Sequence, residues 1–253
     1  MALIDLVDVS KQFRSRQTDV LALARTTLHI EQYQIVSIVG PSGCGKTTLL
    51  NLVAGFLSPS SGQVTVAGTP VAGPDRSRSV VFQSDAVFPW LTVRRNVEYG
   101  LRLRGVDRAT RRERVDRFLD LVGLGDFAEA YPKELSGGMR KRVDIARAYA
   151  SGPDVLLLDE PFGALDIFTR EAMWLSLHAV NEAEPKTIIF VTHDIEEALY
   201  VSDRVIVMTP RPARVHSDVV VPFSRDRNLD LRGEASFQDL RMRISHSLRE
   251  VSG

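Results

Sequence analysis

Ile35-Val36-Ser37-Ile38-Val39-Gly40-Pro41-Ser42-Gly43-Cys44-Gly45-Lys46-Thr47 decides the fold. The first five residues form an apolar, largely β-branched run of the kind that makes a buried strand, and Gly40 ends it. From Lys46 a helical pattern continues to Ala54 and stops at Gly55. Between strand and helix stands the spacing Gly, four residues, Gly-Lys-Thr, in the strand–loop–helix context that a phosphate-binding loop requires. The ligand explains the residue types. A polyphosphate must approach the backbone closely, so Gly40, Gly43 and Gly45 keep side chains out of its way. Successive N–H groups then form an anion nest, reinforced by the positive end of the helix dipole. In such a loop Lys46 reaches the β- and γ-phosphates, and the Thr47 hydroxyl is suited to ligate Mg2+. Chance gives this pattern in roughly one chain in a hundred or fewer at this length. Cys44 reads as a small loop residue rather than a redox switch.

Outward from this stretch, short apolar runs at 64–66, 80–82, 155–158, 187–192 and 204–208 read as strands, with helical patterns between them. That alternation indicates an α/β fold whose core strands are parallel. Residues 93–150 change period: they hold no convincing strand and several helical patterns, notably at 110–122 and 137–150. A helical subdomain inserted into the α/β core fits this. In the tail, 219–221 is strand-like, and Phe237, Leu240, Ile244, Leu248 and Val251 make the one-sided apolar stripe of a final helix.

Composition narrows the class. The 253 residues are 44% hydrophobic and 25% charged, so disordered and disulfide-scaffold classes drop out. Lysine plus arginine equals aspartate plus glutamate at 32 each, which gives no basic footprint for nucleic acid. The single cysteine fits a reducing compartment. No apolar run nears the roughly 18 residues of a membrane span, and the acidic start does not read as a signal peptide. A soluble, cytoplasmic protein is the expectation.

Two further stretches carry chemistry. Val155-Leu156-Leu157-Leu158 runs straight into Asp159-Glu160. Adjacent acids at the tip of a buried strand either cap the next helix or face a cation. Beside a phosphate loop, Asp159 reads as a holder of Mg2+, and Glu160 as the base that orients and deprotonates a water. Leu135-Ser136-Gly137-Gly138-Met139 opens a helix with a serine and two glycines. Ser136 is a natural N-cap, but two glycines at a helix start cost stability. They make sense if a phosphate docks there; since this chain's own loop already holds one nucleotide, that phosphate belongs to a partner chain's.

With these motifs in this order, the sequence resembles the nucleotide-binding subunits of ATP-binding cassette (ABC) transporters over essentially its whole length. The resemblance rests on the phosphate loop, Gln83 after a strand, Leu135-Ser136-Gly137-Gly138, Leu156-Leu157-Leu158-Asp159-Glu160, Gly163-Ala164-Leu165-Asp166, and His193 after Ile188-Ile189-Phe190-Val191-Thr192. It implies a P-loop NTPase (RecA-like) α/β core with a mainly parallel sheet, an N-terminal antiparallel β subdomain and an inserted α-helical subdomain. The implied boundaries are 1–88 with 151–212 for the core, 89–150 for the helical subdomain and 213–253 for a short C-terminal extension.

The resemblance also implies roles. ATP is held by Gly40, Pro41, Ser42, Gly43, Cys44, Gly45, Lys46, Thr47 and Thr48, and Phe13 stacks on adenine unless it is simply core. Mg2+ is met by Thr47, Gln83 and Asp159. Glu160, His193 and Gln83 form the catalytic set: Gln83 senses the γ-phosphate and ion, and His193 contacts the γ-phosphate and positions Glu160. Ser136, Gly137, Gly138 and Asp166 act across a homodimer in which two chains clamp two ATP molecules head-to-tail. Met139 departs from the family, where many members carry Gln.

The implied partners are transmembrane permease subunits and, through them, an extracytoplasmic solute-binding protein. The implied location is peripheral, on the cytoplasmic face of the inner membrane. Phe88-Pro89-Trp90-Leu91-Thr92-Val93 falls where the family docks its permease. Nine arginines against four acids between Arg94 and Arg117 read as a solvated helical face, with a permease or anionic-lipid contact as the other reading. The short tail resembles importers of the nitrate, sulfonate and taurine group rather than sugar importers with a longer regulatory β-domain. The rival is a non-transport cassette ATPase acting on nucleic acid or ribosomes; a single cassette without net positive charge argues against it.

Overall fold

The computed structural model of the protein describes residues 2–14, 19–84 and 86–252. Its strands are β1 (Ala2–Arg14), β2 (Asp19–Glu31), β3 (Ile35–Val39), β4 (Ser61–Val66), β5 (Thr69–Pro70), β6 (Arg78–Val81), β7 (Val155–Asp159), β8 (Thr187–Val191), β9 (Arg204–Met208) and β10 (Val215–Val220). Its helices are α1 (Lys46–Ala54), α2 (Val93–Leu103), α3 (Arg108–Leu121), α4 (Gly137–Ala150), α5 (Ile167–Ala183), α6 (Ile195–Val201) and α7 (Ala235–Ser252). The chain divides into two units, Met1–Arg78 with Thr187–Gly253, and Ser79–Lys186.

The first unit holds two sheets. One is antiparallel throughout, in the order β2-β1-β4-β5. Its β2 alternates, with Leu28 and Ile30 buried and Thr27 and His29 exposed, because only one face is covered. In the other, β3 runs parallel to both β8 and β9. Both β3 and β8 are buried along their whole length, which is why each reads as an unbroken apolar run. Antiparallel β10 adds to β9 at the edge. The strand expected at 219–221 is therefore longer and starts earlier. His216, Ser217 and Asp218 belong to it, since a half-covered edge strand needs no apolar run. Helix α7 lays Phe237, Leu240 and Ile244 against Leu199, Val205 and Val207, as its stripe predicts. Burial of such side chains stabilises by roughly 1.5–3 kcal/mol each.

In the second unit β7 lies beside β6, and α2, α3 and α4 follow one another with no strand among them. Strand β6 ends at Val81, so Phe82, expected within it, is out of the sheet and exposed. Helix α3 begins at Arg108 rather than 110 because the Asp107 carboxylate accepts from the N–H groups of Ala109 and Thr110, both at 3.0 Å. The arginine-rich stretch is less solvated than its composition implies. Arg94 pairs with Asp116 (2.5 Å) and Glu129 (2.9 Å), Arg111 with Glu98, and Arg114 with Glu184 (2.6 Å). Among the described residues no helix is long and apolar enough to cross a membrane.

Candidate functional site

In the first unit, parallel pairing of β3 and β8 sets Ile38 opposite Val191, and Thr192 N–H donates to Ile38 O at 3.2 Å. The loop 40–45 and His193 therefore leave adjacent strand ends, the edge at which α/β sheets bind ligands. Helix α1 differs from α2, α3, α4, α5 and α6 at its N-terminus. Thr92, Asp107, Ser136, Asp166 and Asp194 each cap their helix with a side chain, whereas α1 starts from Gly45 with no side-chain cap. An end built this way suits an external anion. The Lys46 ammonium lies over the same loop, 4% exposed, donating to Gly40 O (2.8 Å) and Pro41 O (3.1 Å).

The three loop glycines have separate reasons. A Cβ on Gly40 would stand 2.9 Å from Met208 O, so packing excludes it. Gly45 combines a φ of 132° with Ala22 O at 3.0 Å from such a Cβ. At Gly43 a Cβ would make only an ordinary contact, 3.7 Å from Arg211 Nη2, so its φ of 70° decides. Cys44 is buried beneath the loop, while Ser42, Thr47 and His193 are exposed and Pro41 and Thr48 half-buried. Phe13 is exposed near the end of β1, with the Lys11 ammonium 5.3 Å from its ring centre; it is not core.

In the second unit β7 delivers Asp159 at its last position and Glu160 one residue beyond. Glu160 takes a φ of 44°, a left-handed conformation that costs a non-glycine residue about 1–2 kcal/mol. Strain of this kind concentrates where a side chain must be aimed. Ser136 caps α4, accepting from Met139 N–H at 3.2 Å. Asp166 caps α5: it accepts from Thr169 N–H (3.1 Å) and from the Thr169 hydroxyl (2.6 Å). That hydroxyl bond, with the N–H bond behind it, holds the Asp166 carboxyl below the usual carboxylate range. Gln83 is exposed in the loop after β6.

That loop is held by residues the sequence did not single out. On one face of α4, buried Lys141 donates to Phe82 O (3.0 Å) and Gln83 O (3.2 Å). Asp144, equally buried, accepts from Ala86 N–H (3.1 Å), and Arg147 donates to Ala86 O (2.7 Å) and to Asp144 (2.8 Å). The spacing 141, 144, 147 is a helix-face signal, but an alternation of charges on a helix reads as solvent-facing. Further along, buried Asn96 accepts from Phe88 N–H (2.7 Å) and donates to the carbonyls of Phe88, Leu91 and Thr92, each at 3.1 Å. It thereby fixes a turn that leaves Trp90 69% exposed.

The sequence profile described as ABC transporter matches residues 23–163. The chain belongs to the ABC transporter family. A putative ATP-binding protein of Brucella abortus is 50% identical over 228 residues, 90% of this chain and 88% of that protein. The taurine import ATP-binding protein TauB of Roseobacter denitrificans is 46% identical over 222 residues, 87% of this chain and 83% of its own. The nitrate import ATP-binding protein NrtD of a Synechocystis strain is 42% identical over 252 residues, 97% and 95% of the two chains. Among solved structures, a dimeric post-hydrolysis state of the cassette MJ0796, bound to ADP and phosphate, superposes with a TM-score of 0.72. It is 32% identical and covers 87% of this chain and all of its own. As a member of this family the protein is an ATP-binding subunit, an ATPase coupled to transport. The P-loop NTPase architecture expected from the sequence is the one observed.

Proposed function

We propose that this chain powers an importer for a small solute such as taurine, another sulfonate or nitrate, from the cytoplasmic face of the inner membrane. What supports the reading best is the N-terminus of α1, where a glycine start, an uncapped helix end and the buried Lys46 make an anion cradle. ATP lies there with its phosphates on the backbone of 40–48. Lys46 leaves the loop carbonyls for the β- and γ-phosphates, exchanging two carbonyl acceptors for a polyanion. Phe13, exposed rather than core, stacks on the base.

Thr47, Gln83 and Asp159 are the proposed donors to Mg2+. No cluster of three or more His, Cys, Asp or Glu able to hold a metal exists among the described residues. A hydroxyl, an amide and one carboxylate are hard oxygen donors, few in number, and fit an ion that keeps waters and phosphate oxygens as its other ligands. When bound, the ion neutralises charge building on the β- and γ-phosphate oxygens. Glu160 orients the attacking water and takes its proton, and His193 hydrogen-bonds the γ-phosphate. Catalysis is then mostly positioning and charge stabilisation, with no covalent intermediate on the protein.

Ser136, Gly137 and Gly138 meet the ATP held by a second copy, with Asp166 at the same interface, so two chains close head-to-tail on two nucleotides. The exposed Trp90, seated on Phe88 at a ring-centre distance of 5.5 Å, is the proposed anchor for the permease, since aromatic anchors dominate such contacts. Through the permease the subunit serves an extracytoplasmic solute-binding protein. Sedimentation tests the partner: the chain should pellet with membranes only when its permease is co-produced, and equal pelleting without it would refute the reading. Direct transport assays with taurine and nitrate then discriminate the solute.

A further inference from the structure

Both glycines after Ser136 have ordinary helical φ values, so neither is required by its backbone conformation. What surrounds them differs. A Cβ on Gly137 would find only Arg140 Nη2 at 3.7 Å and Leu165 Cδ2 at 3.9 Å, ordinary contacts. A Cβ on Gly138, which is buried, would overlap Thr169 Cγ2 at a distance no real Cβ tolerates. The methyl cannot swing away cheaply. The hydroxyl on the same Thr169 carbon donates to Asp166 Oδ2 at 2.6 Å, and the Thr169 N–H donates to Asp166 Oδ1 at 3.1 Å. Thr169 thus touches two functional segments at once, its methyl under Gly138 and its hydroxyl on Asp166.

We propose that Thr169 is a positioning residue that interlocks the start of α4 with the start of α5, so that Ser136–Gly138 and Asp166 present to the second chain as one rigid piece. Gly138 is then glycine for packing on Thr169, and Gly137 is glycine to leave room for a ligand. The proposal rests on the reading of these segments as facing a partner's ATP. A β-branched side chain suits the task, because its methyl and hydroxyl are fixed relative to each other at one χ1 angle.

The test is a set of substitutions in the full chain, read by melting temperature, by kcat and KM for ATP, and by MgATP-driven dimerisation. Gly138→Ala should lower kcat by at least about tenfold and depress the melting temperature. Thr169→Ser removes the offending methyl and keeps the hydroxyl. The nearest remaining atom to a Cβ at 138 is then Thr169 Cβ at 3.9 Å, so Gly138→Ala with Thr169→Ser should recover the melting temperature of Thr169→Ser alone, and its kcat should rise above that of Gly138→Ala. Thr169→Val keeps the methyl and loses the hydroxyl. It should fail to rescue Gly138→Ala and, by itself, should lower kcat several-fold while KM holds. A double variant no better than Gly138→Ala, or a Thr169→Val chain at the parental kcat, overturns the proposal. Gly137→Ala separates the underlying reading: its Cβ fits the chain, so an unchanged kcat and dimerisation there would sink the ligand role of the motif, while rescue of the melting temperature still judges the interlock.

Discussion

Arg227, in the C-terminal extension, can be removed with a calculable consequence. Its guanidinium is 6% exposed and donates to five backbone carbonyls: Leu199 (2.6 Å), Tyr200 (2.7 Å), Ser202 (2.9 Å), Ser224 (2.7 Å) and Phe223 (3.1 Å). Three of these belong to the last turn and C-cap of α6, the helix that follows His193, and a cation at a helix C-terminus is favourable for the macrodipole as well. Arg227→Met keeps most of the apolar stem and removes every donor. Charge-assisted bonds contribute about 1.5–3 kcal/mol each but not additively, and buried carbonyls left without donors cost more, so a net loss of about 3–4 kcal/mol is expected. For a chain of this size that lowers the melting temperature by roughly 6–15 °C. Lysine at this position should recover only part of the loss, since three donors on a point cannot reach five carbonyls arranged around a planar fork.

Burial pushes the Arg227 guanidinium down to about 10. An unfolded chain holds that proton more tightly, so titration of this group makes stability depend on pH only above about 10, where stability rises with pH. Between pH 6 and 8 it is charged in both states, and the gap between parent and Arg227→Met should be flat. Thermal unfolding followed by circular dichroism measures it. A shift smaller than about 2 °C, or a gap that changes across pH 6–8, would refute the reasoning.

Other expectations concern turnover. Glu160→Gln should retain ATP binding by calorimetry, lose hydrolysis and accumulate a closed dimer with MgATP; hydrolysis at the parental rate would remove Glu160 from the role of base. Lys141→Met releases the Phe82 and Gln83 carbonyls from α4, so kcat should fall several-fold while the affinity for metal-free ADP stays put, because Gln83 is assigned to the γ-phosphate and Mg2+. An equal loss of ADP and ATP affinity would mean that Lys141 merely supports the fold.

Local rules make much of this molecule readable from its sequence. The phosphate loop, the helix from Lys46 to its Gly55 stop, and the acids at the tip of β7 depend on neighbours a few residues away, and each stands where its residues imply. The α7 stripe was legible for the same reason, since a period of three to four is a property of one helix. What stayed hidden depends on distant partners. Nothing local marks Lys141 and Asp144, which are buried because the carbonyls and N–H they satisfy come from a loop some 58 residues earlier. Arg227 is buried for a like reason, with its α6 carbonyls 25–28 residues away. Long, bulged β1 has an apolar alternation broken by register shifts, so no clean period of two marks it. Gly138 reads, with Gly137, as room for a phosphate; that a methyl on another helix lies where its Cβ would stand is invisible to local rules.

The head-to-tail sandwich can be tested by mixing two dead chains. Lys46→Ala destroys the phosphate loop but leaves the Ser136–Gly138 segment intact. Gly137→Asp does the reverse, setting a carboxylate where a phosphate should dock; the fold should tolerate it, since the nearest atom to a Cβ there is 3.7 Å away and an acid in the first turn suits the helix dipole. Each variant alone should be inactive. Mixed in equal amounts, half the dimers would pair one chain of each kind and carry one complete site, so ATPase activity should recover to about a quarter of the parental rate. A mixture no more active than its two components would contradict the account.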